Sequence, residues 1–320
     1  MVKFAKIRTQ MVSYYILLLL ISMLVSGMMY QRINRNLAES KIGDLSVQTL
    51  YAIQYSLQSL FNNTNKYSQK IIASDTVQGL LKANLAEVGI AESNQKFQKA
   101  MHEILLAEPT ISSVYLFRND DIYYSFDDLN LGVNIAGIRN APWYQEVLDK
   151  NGGLIWRVNA GGVLRQYPHV EPYLSLIRTV NDLVTAKQIG ILIVNIPLRE
   201  IKKSYEHTVS ENKLDLMVGR GRESMIPFAN SELRGFADSQ EFRLHTSSTF
   251  MKTLSGKGYL FASTESDGWN YSIALPINEW SNPYGPINRV LVPIALFNFL
   301  FIFLGSVWIS RSITRHCIAY

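Results

Sequence analysis

Gln188-Ile189-Gly190-Ile191-Leu192-Ile193-Val194-Asn195-Ile196 is the stretch that decides how this chain folds. It is nearly continuous in Ile, Leu and Val and stops at Pro197. Such a run reads as a central strand buried on both faces, since a strand with one wet face would alternate apolar and polar residues.

Partners for that strand lie upstream. Tyr173–Val180 and Gly153–Val158 have strand composition. Ser112–Phe117 and Ile122–Phe126 flank the polar turn Asn119-Asp120-Asp121, with aromatic and β-branched residues on both sides, as in a hairpin. Between these pairs, Pro142 followed by Trp143-Tyr144-Gln145-Glu146-Val147-Leu148 starts a short helix that Gly152-Gly153 stops. Downstream, Leu198 to about Val209 reads as a helix linking two halves. The second half repeats the alternation more briefly: Leu214–Val218, a tight turn at Gly219-Arg220-Gly221-Arg222, then Tyr259–Thr264 and Trp269–Leu275. Before all of this the period is helical. Gln31 to about Ser74 has no Pro and carries Leu37, Ile42, Leu45, Ile53, Leu57, Leu60 and Phe61 at helical spacing, which predicts a long helix. Shorter helices follow over Asp75–Leu85 and Ala91–Leu106.

Two charge-free apolar stretches bracket this region, 11–30 and 290–309. A membrane-spanning helix needs roughly 20 apolar residues to cross roughly 30 Å of hydrocarbon, and each stretch has that length. The first runs through Met28, Met29 and Tyr30 into Arg32 without a small-residue cleavage site, so it reads as a retained anchor rather than a signal peptide. The second is apolar all round, from Leu291 to Trp308.

Charge placement follows the same division. The net charge is +5, yet every acid lies between Glu39 and Glu279, while Lys3, Lys6, Arg8, Arg32, Arg35, Arg289, Arg311 and Arg315 flank the apolar stretches. Setting those eight cations aside leaves 23 basic against 26 acidic residues. The basic excess belongs to the membrane ends and argues against a nucleic-acid surface, which needs cations clustered on a folded face. Lys3, Lys6 and Arg8 before the first span, with Arg311 and Arg315 after the second, place both termini in the cytoplasm by the positive-inside rule. Residues 31–289 are then extracellular. The single Cys317 falls on the cytoplasmic side, so the exported region folds without a disulfide.

Aromatic side chains with polar tips are the best candidates for a ligand pocket: Trp143 and Tyr144 with Arg139, Tyr115, Tyr123, Trp156, Tyr173 and Arg178. Rings bury apolar area while hydroxyl, indole and guanidinium groups fix orientation. Filling of the core between sheet and helix is the competing reading of the same residues. Catalysis finds no support. His102, His169, His207 and His245 stand apart, without the spacing that puts a base beside a nucleophile or two ligands on one metal. Asp120-Asp121 and Asp127-Asp128 read as solvated turn formers. No cofactor or metal is expected.

The order of long helix, Val114–Phe117, Pro142-Trp143-Tyr144, Gly152-Gly153-Leu154-Ile155-Trp156, Leu174-Ser175-Leu176-Ile177-Arg178, Ile189–Ile196 and Gly268-Trp269 resembles the double-Cache sensor domain. It is most similar to the extracellular part of YesM-like sensor histidine kinases, and Ser310-Arg311-Ser312-Ile313-Thr314-Arg315 resembles the start of a HAMP linker. The resemblance implies an α+β fold in which two transmembrane helices flank an extracellular, PAS-like double-Cache domain with a long N-terminal helix and two antiparallel-sheet halves. The implied divisions are a cytoplasmic N-terminus over 1–10, spans over 11–30 and 290–309, the long helix over 31–75, a membrane-distal half over 76–200, a membrane-proximal half over 201–285 and a truncated HAMP-like start over 310–320.

By the same resemblance the chain is the sensor module of a two-component system, not an enzyme, with no kinase domain of its own, and dimerises through the long helix. Its partner is an extracellular small molecule or a solute-loaded binding protein. In the amino-acid-binding branch an Arg two positions before the Trp-Tyr pair holds the ligand carboxylate and an Asp late in the central strand holds the amine. Ala141 and Asn195 stand there in this chain, and a neutral Asn cannot pair a desolvated ammonium. A sugar or other organic solute is therefore expected over an amino acid. The alternatives are a chemoreceptor or membrane-bound regulator fragment, or an envelope interaction protein without a ligand.

Overall fold

The computed structural model describes residues 2–84, 89–127, 132–165, 172–211, 213–221, 223–245 and 248–277, with 296–297, 300 and 303–305. The chain begins with one helix, α1 (Val2–Ile72), followed by α2 (Asp75–Lys82) and α3 (Ile90–Leu105). From Leu50 onward α1 buries Ile53, Leu57, Phe61, Thr64, Ser68 and Ile71, a stripe with steps of three and four that keeps one face against the protein. Leu45, which sequence periodicity puts on the same stripe, is exposed. Among the described residues no helix is long and apolar enough to cross a membrane. Most side chains of 11–30 and of 290–309 and the whole of 310–320 lie outside the described residues.

The first sheet contains β1 (Ser113–Arg118), β2 (Tyr123–Asp127), β4 (Leu154–Val158), β6 (Tyr173–Asn181) and β7 (Gln188–Pro197) in the antiparallel order β2-β1-β7-β6-β4. The apolar run at 188–196 is thus the middle strand, as its composition requires. Its neighbours approach closely: a Cβ on Gly190 would sit 2.5 Å from the Phe117 carbonyl oxygen, so only glycine fits there. A two-stranded ribbon of β3 (Gly132–Val133) and β5 (Leu164–Arg165) lies beside the sheet in the sequence, with α4 (Ile135–Ile138) and α5 (Tyr144–Asp149) between its strands.

Register sorts the side chains. Phe117, Ile191 and Thr179 lie level across the sheet, as do Tyr115, Ile193, Ile177 and Ile155. Because side chains alternate between faces, these share one face while Leu116, Leu192, Arg178 and Leu154 share the other. The helical side is covered by α2 and α3, where Tyr124 meets Phe97 at 6.0 Å between ring centroids and its hydroxyl donates to the Leu80 carbonyl at 3.4 Å.

After β7, α6 (Leu198–Glu211) leads to β8 (Asp215–Arg220) and β9 (Glu223–Ile226), followed by α7 (Ser231–Ala237) and α8 (Gln240–Arg243). Gly221, at φ 59°, forms the tight turn between β8 and β9. Residues 48–248 and 263–274 form one compact unit. Within it β12 (Trp269–Pro276) pairs with β8, and β8 with β9, giving a second antiparallel sheet in the order β12-β8-β9. A second unit takes 1–47, 249–262 and 275–320, and in it β10 (Thr249–Leu254) and β11 (Lys257–Ser266) form a hairpin with Phe250 stacked on Phe261 at 5.0 Å. The architecture is therefore α+β, with a long N-terminal helix and two antiparallel sheets.

Three rings join α1 to both sheets inside the larger unit. Phe61 stacks on Trp269 of β12 at 4.4 Å and meets Trp156 of β4 at 5.2 Å, while the two tryptophans lie edge to face at 5.9 Å. The Arg220 guanidinium lies 5.3 Å over Trp269 and is pushed down from its usual range by burial and by the Arg157 charge.

Candidate functional site

The face of the first sheet turned away from α1, α2 and α3 carries a cluster of buried apolar residues: Tyr115 and Phe117 from β1, Ile191 and Ile193 from β7, Tyr173 and Ile177 from β6, closed by Trp143 and Val147. Closure depends on Trp143. Its indole Nε1 donates to the Ala160 carbonyl at 2.8 Å, and the ring presses so closely on the 159–162 turn that a Cβ on Gly161 would lie 2.6 Å from its Cδ1. Gly161 has φ +62°, so glycine there satisfies both the backbone and the space. Glu146 of α5 anchors the cover to β4 through an ion pair with Arg157 at 2.6 Å.

Polar groups enter this face at two places. Near its edge the Tyr115 hydroxyl donates to Asp127, the last residue of β2. Burial together with the Asp127 carboxylate raises the Tyr115 phenol well above its ordinary range, so it stays protonated and remains the donor. Tyr123 and Tyr173 are near enough to act on it electrostatically, so three phenols and a carboxylate gather there. At the other place, Phe117, Ile138 and Ile191 floor a cavity of about 140 Å³ whose rim carries Asn119, Asp121, Arg139, Tyr144 and Gln188. Arg139 pairs with Asp121 at 2.9 Å and donates to the Asn119 carbonyl at 2.7 Å, both side chains being exposed.

The nine residues singled out from the sequence divide between the two faces. Arg139 and Tyr144 line the cavity; Tyr115, Tyr123, Tyr173 and Trp143 belong to the cluster beside it. Asn195 shares that face but is fully buried, accepting from Ser175 Oγ at 2.6 Å and donating to Ser113 Oγ at 2.9 Å. Trp156 and Arg178 point the other way. Trp156 packs on Phe61, and Arg178 donates to Ser68 Oγ at 3.1 Å and to the Gly152 carbonyl at 2.5 Å, holding α1 against β6. Burial lowers the Arg178 pKa from its usual value.

One residue needs correction. Asp127, read from the sequence as a solvated turn former, ends a strand and is bound by a buried phenol, because β2 runs one residue further than the Ile122–Phe126 reading allows. Alternation along β2 puts Asp127 on the face of Tyr123 and Ser125, and strand pairing sets it level with Ser113, as Asn195 is on the far side of β1. Asp128 and His169 lie outside the described residues. Among the described residues no group of three His, Cys, Asp or Glu side chains gathers as a metal site would require.

Comparison with known proteins gives a fold likeness and nothing nearer. No protein-family model matches the chain, and no curated protein matches it. Among solved structures, the extracellular domain of vpHK1S-Z8, a protein assigned as a histidine kinase, aligns at TM-score 0.54 and 10% identity over 77% of this chain and 98% of that one. The ligand-binding domain of the Campylobacter jejuni chemoreceptor Tlp3 in complex with L-valine aligns at 0.49 and 13% identity, covering 72% of this chain and 91% of that one. That of the Pseudomonas aeruginosa amino acid chemoreceptor PctC with GABA aligns at 0.45 and 14%, covering 74% and 98%. The first of these alignments supports a shared fold.

Proposed function

We propose that this chain is the extracellular sensor part of a membrane receptor, and that the cluster face of the first sheet holds its ligand. The observation that carries the reading is the arrangement on that face: a buried phenol–carboxylate pair, Tyr115 with Asp127, beside a cavity rimmed by Arg139 and Tyr144, under a cover hinged on Trp143. Aromatic walls with a few polar tips suit a small organic solute. The fold likeness to the extracellular domain of vpHK1S-Z8 supports placing such a face outside the cell.

We assign the two apolar stretches as membrane spans, both termini to the cytoplasm and residues 31–289 to the exterior, with the first sheet membrane-distal. The output is two-component signalling of the YesM-like kind, and dimerisation is through α1. Ligand bound on the cluster face moves the second span by way of the Phe61–Trp156–Trp269 contact, where α1, β4 and β12 meet. Such transmission requires a ligand that favours one arrangement over the other.

A sugar or other hydroxylated solute, free or carried by a binding protein, fits better than an amino acid. Asn195 has both amide groups committed to serines, and Ala141 has no group to hold a carboxylate.

A thermal-shift panel tests this, using the full chain in lipid nanodiscs against monosaccharides, polyols, organic acids and the standard amino acids. A ligand of the folded state present at 100 times its Kd adds about 2.7 kcal/mol of stability. Saturable stabilisation by a sugar or polyol, lost in Tyr115→Phe, is the expected result. Stabilisation by amino acids alone overturns the ligand class, and stabilisation by nothing, binding proteins included, overturns the sensor reading.

A further inference from the structure

A larger cavity lies on the second sheet, outside the site already described. It is a hollow of about 490 Å³, open to solvent on one side and within the range of roughly 300–1,000 Å³ typical of small-molecule sites, against about 140 Å³ on the first sheet. Its cause is a choice of residues on one sheet face. Leu216, Val218, Tyr271 and Ile273 face one way and are buried. The alternating positions facing the other way are Met217, Gly219, Asn270 and Ser272, and Ser263 joins them through a hydroxyl contact with Ser272 at 2.9 Å. A sheet face covered by helices ordinarily carries side chains large enough to meet the cover, because packed layers interdigitate. Here glycine, two serines and an asparagine leave the space beneath Phe228 and Phe242, which are buried.

Among the described residues lining the cavity, positive charge is in excess. Among the described side chains lining it, Arg234 and Arg243 stand with one carboxylate, Asp238, and with His245, whose Nδ1 is 3.3 Å from Ser248 Oγ. Asp215, on the same sheet face, is already committed to the backbone amides of Ala229 and Asn230, each at 2.9 Å. Among the described residues neither arginine is in an ion pair; Arg234 donates to the Ala229 carbonyl at 3.0 Å. Two available guanidiniums over an aromatic and hydroxyl-lined hollow match a carboxylate head on an apolar body, because guanidinium binds carboxylate in a bidentate fashion.

We infer that this cavity is a second ligand site, taking a small organic carboxylate with an apolar body. It is built on the second sheet and requires no occupancy of the first.

Isothermal titration of the full chain in lipid nanodiscs tests the inference with sodium benzoate, 3-phenylpropionate and hexanoate, each compared with its uncharged amide. Saturable binding of at least one acid is expected, with its amide at least tenfold weaker. Arg234→Gln with Arg243→Gln should weaken that acid at least tenfold, and because both side chains are exposed the variant should keep the parent unfolding temperature. Ser272→Leu, which fills the floor, should abolish binding, whereas Tyr115→Phe on the first sheet should leave it unchanged. If Ser272→Leu does not fold, the arginine pair decides. Absence of saturable binding by all three acids, equal binding of acid and amide, or indifference to the arginine substitutions overturns the inference. Loss of solute binding on the first sheet alone leaves it standing.

Discussion

Gly161→Ala probes the cover of the first-sheet face at the point where it is most tightly fitted. Two costs add. An L-residue held at the φ of +62° found here costs about 1–2 kcal/mol. The new Cβ would also lie 2.6 Å from Trp143 Cδ1 and 2.8 Å from its Nε1, closer than real contacts allow. Trp143 cannot swing aside cheaply, since it is 1% exposed, packed in the apolar cluster and bonded through Nε1 to the Ala160 carbonyl. Forcing extra volume into such packing costs typically 1–3 kcal/mol. The substitution should therefore destabilise by about 2–5 kcal/mol in total. Urea unfolding of the full chain in lipid nanodiscs, followed by far-UV circular dichroism, measures it. A double-mutant cycle separates the two parts. Trp143→Ala removes the whole ring that the methyl meets, so in that background Gly161→Ala should cost only the backbone share, a coupling of about 1–3 kcal/mol. A cost below about 0.5 kcal/mol, the usual range for a surface change, or the same cost in both backgrounds, would refute the reasoning.

Other expectations follow from the same contacts. Asn195→Asp places a carboxylate where the side chain is fully buried and removes the donor to Ser113, so its folded-state pKa should rise; destabilisation of roughly 3 kcal/mol near pH 7.5 should shrink as pH falls toward 5 and the group protonates. Denaturant titrations at the two pH values check the sign, and a variant more stable at the higher pH contradicts it. Phe61→Ala should cost about 3–5 kcal/mol and uncouple α1 from Trp156 and Trp269, read as loss of stability together with loss of any solute-induced change at β12 in hydrogen exchange. For topology, Val184 is 88% exposed on the β6–β7 turn, so Val184→Cys in a Cys317→Ser background should react with a membrane-impermeant maleimide on intact cells. Labelling only after permeabilisation would reverse the proposed orientation.

The first sheet was largely legible in the sequence because its strands are strongly apolar and bounded by clear turns: β6, β7 and the β1–β2 hairpin all fall within a residue or two of where composition places them. Face assignment was less accessible. Trp156 and Arg178 have the composition of pocket residues, yet register turns them toward α1, and register depends on long-range pairing that a local window does not contain. Asp127 was hidden by its position at a strand end next to a second Asp. The stretch from Glu223 to Leu254 gave no strand or helix signal, since α7 and α8 are too short for a period and β10 alternates without a strong apolar face. Capping residues were the overlooked cue there. Asn230 accepts from the Glu232 amide and Ser239 from the Phe242 amide, each marking a helix start. The cavity on the second sheet is legible only in hindsight, as small and polar residues at alternate positions of β8 and β12, where a covered sheet face would carry larger side chains.

The most direct measurement for the sensor reading is amide hydrogen exchange on the full chain in lipid nanodiscs, with and without the solute that the thermal panel selects. Protection should concentrate in β1, β2 and the cover over residues 142–149, with smaller changes at Trp269 and its neighbours in β12. Protection confined to other parts of the chain, or no change at saturating solute, would contradict the assignment of the Tyr115–Asp127 face as the ligand site.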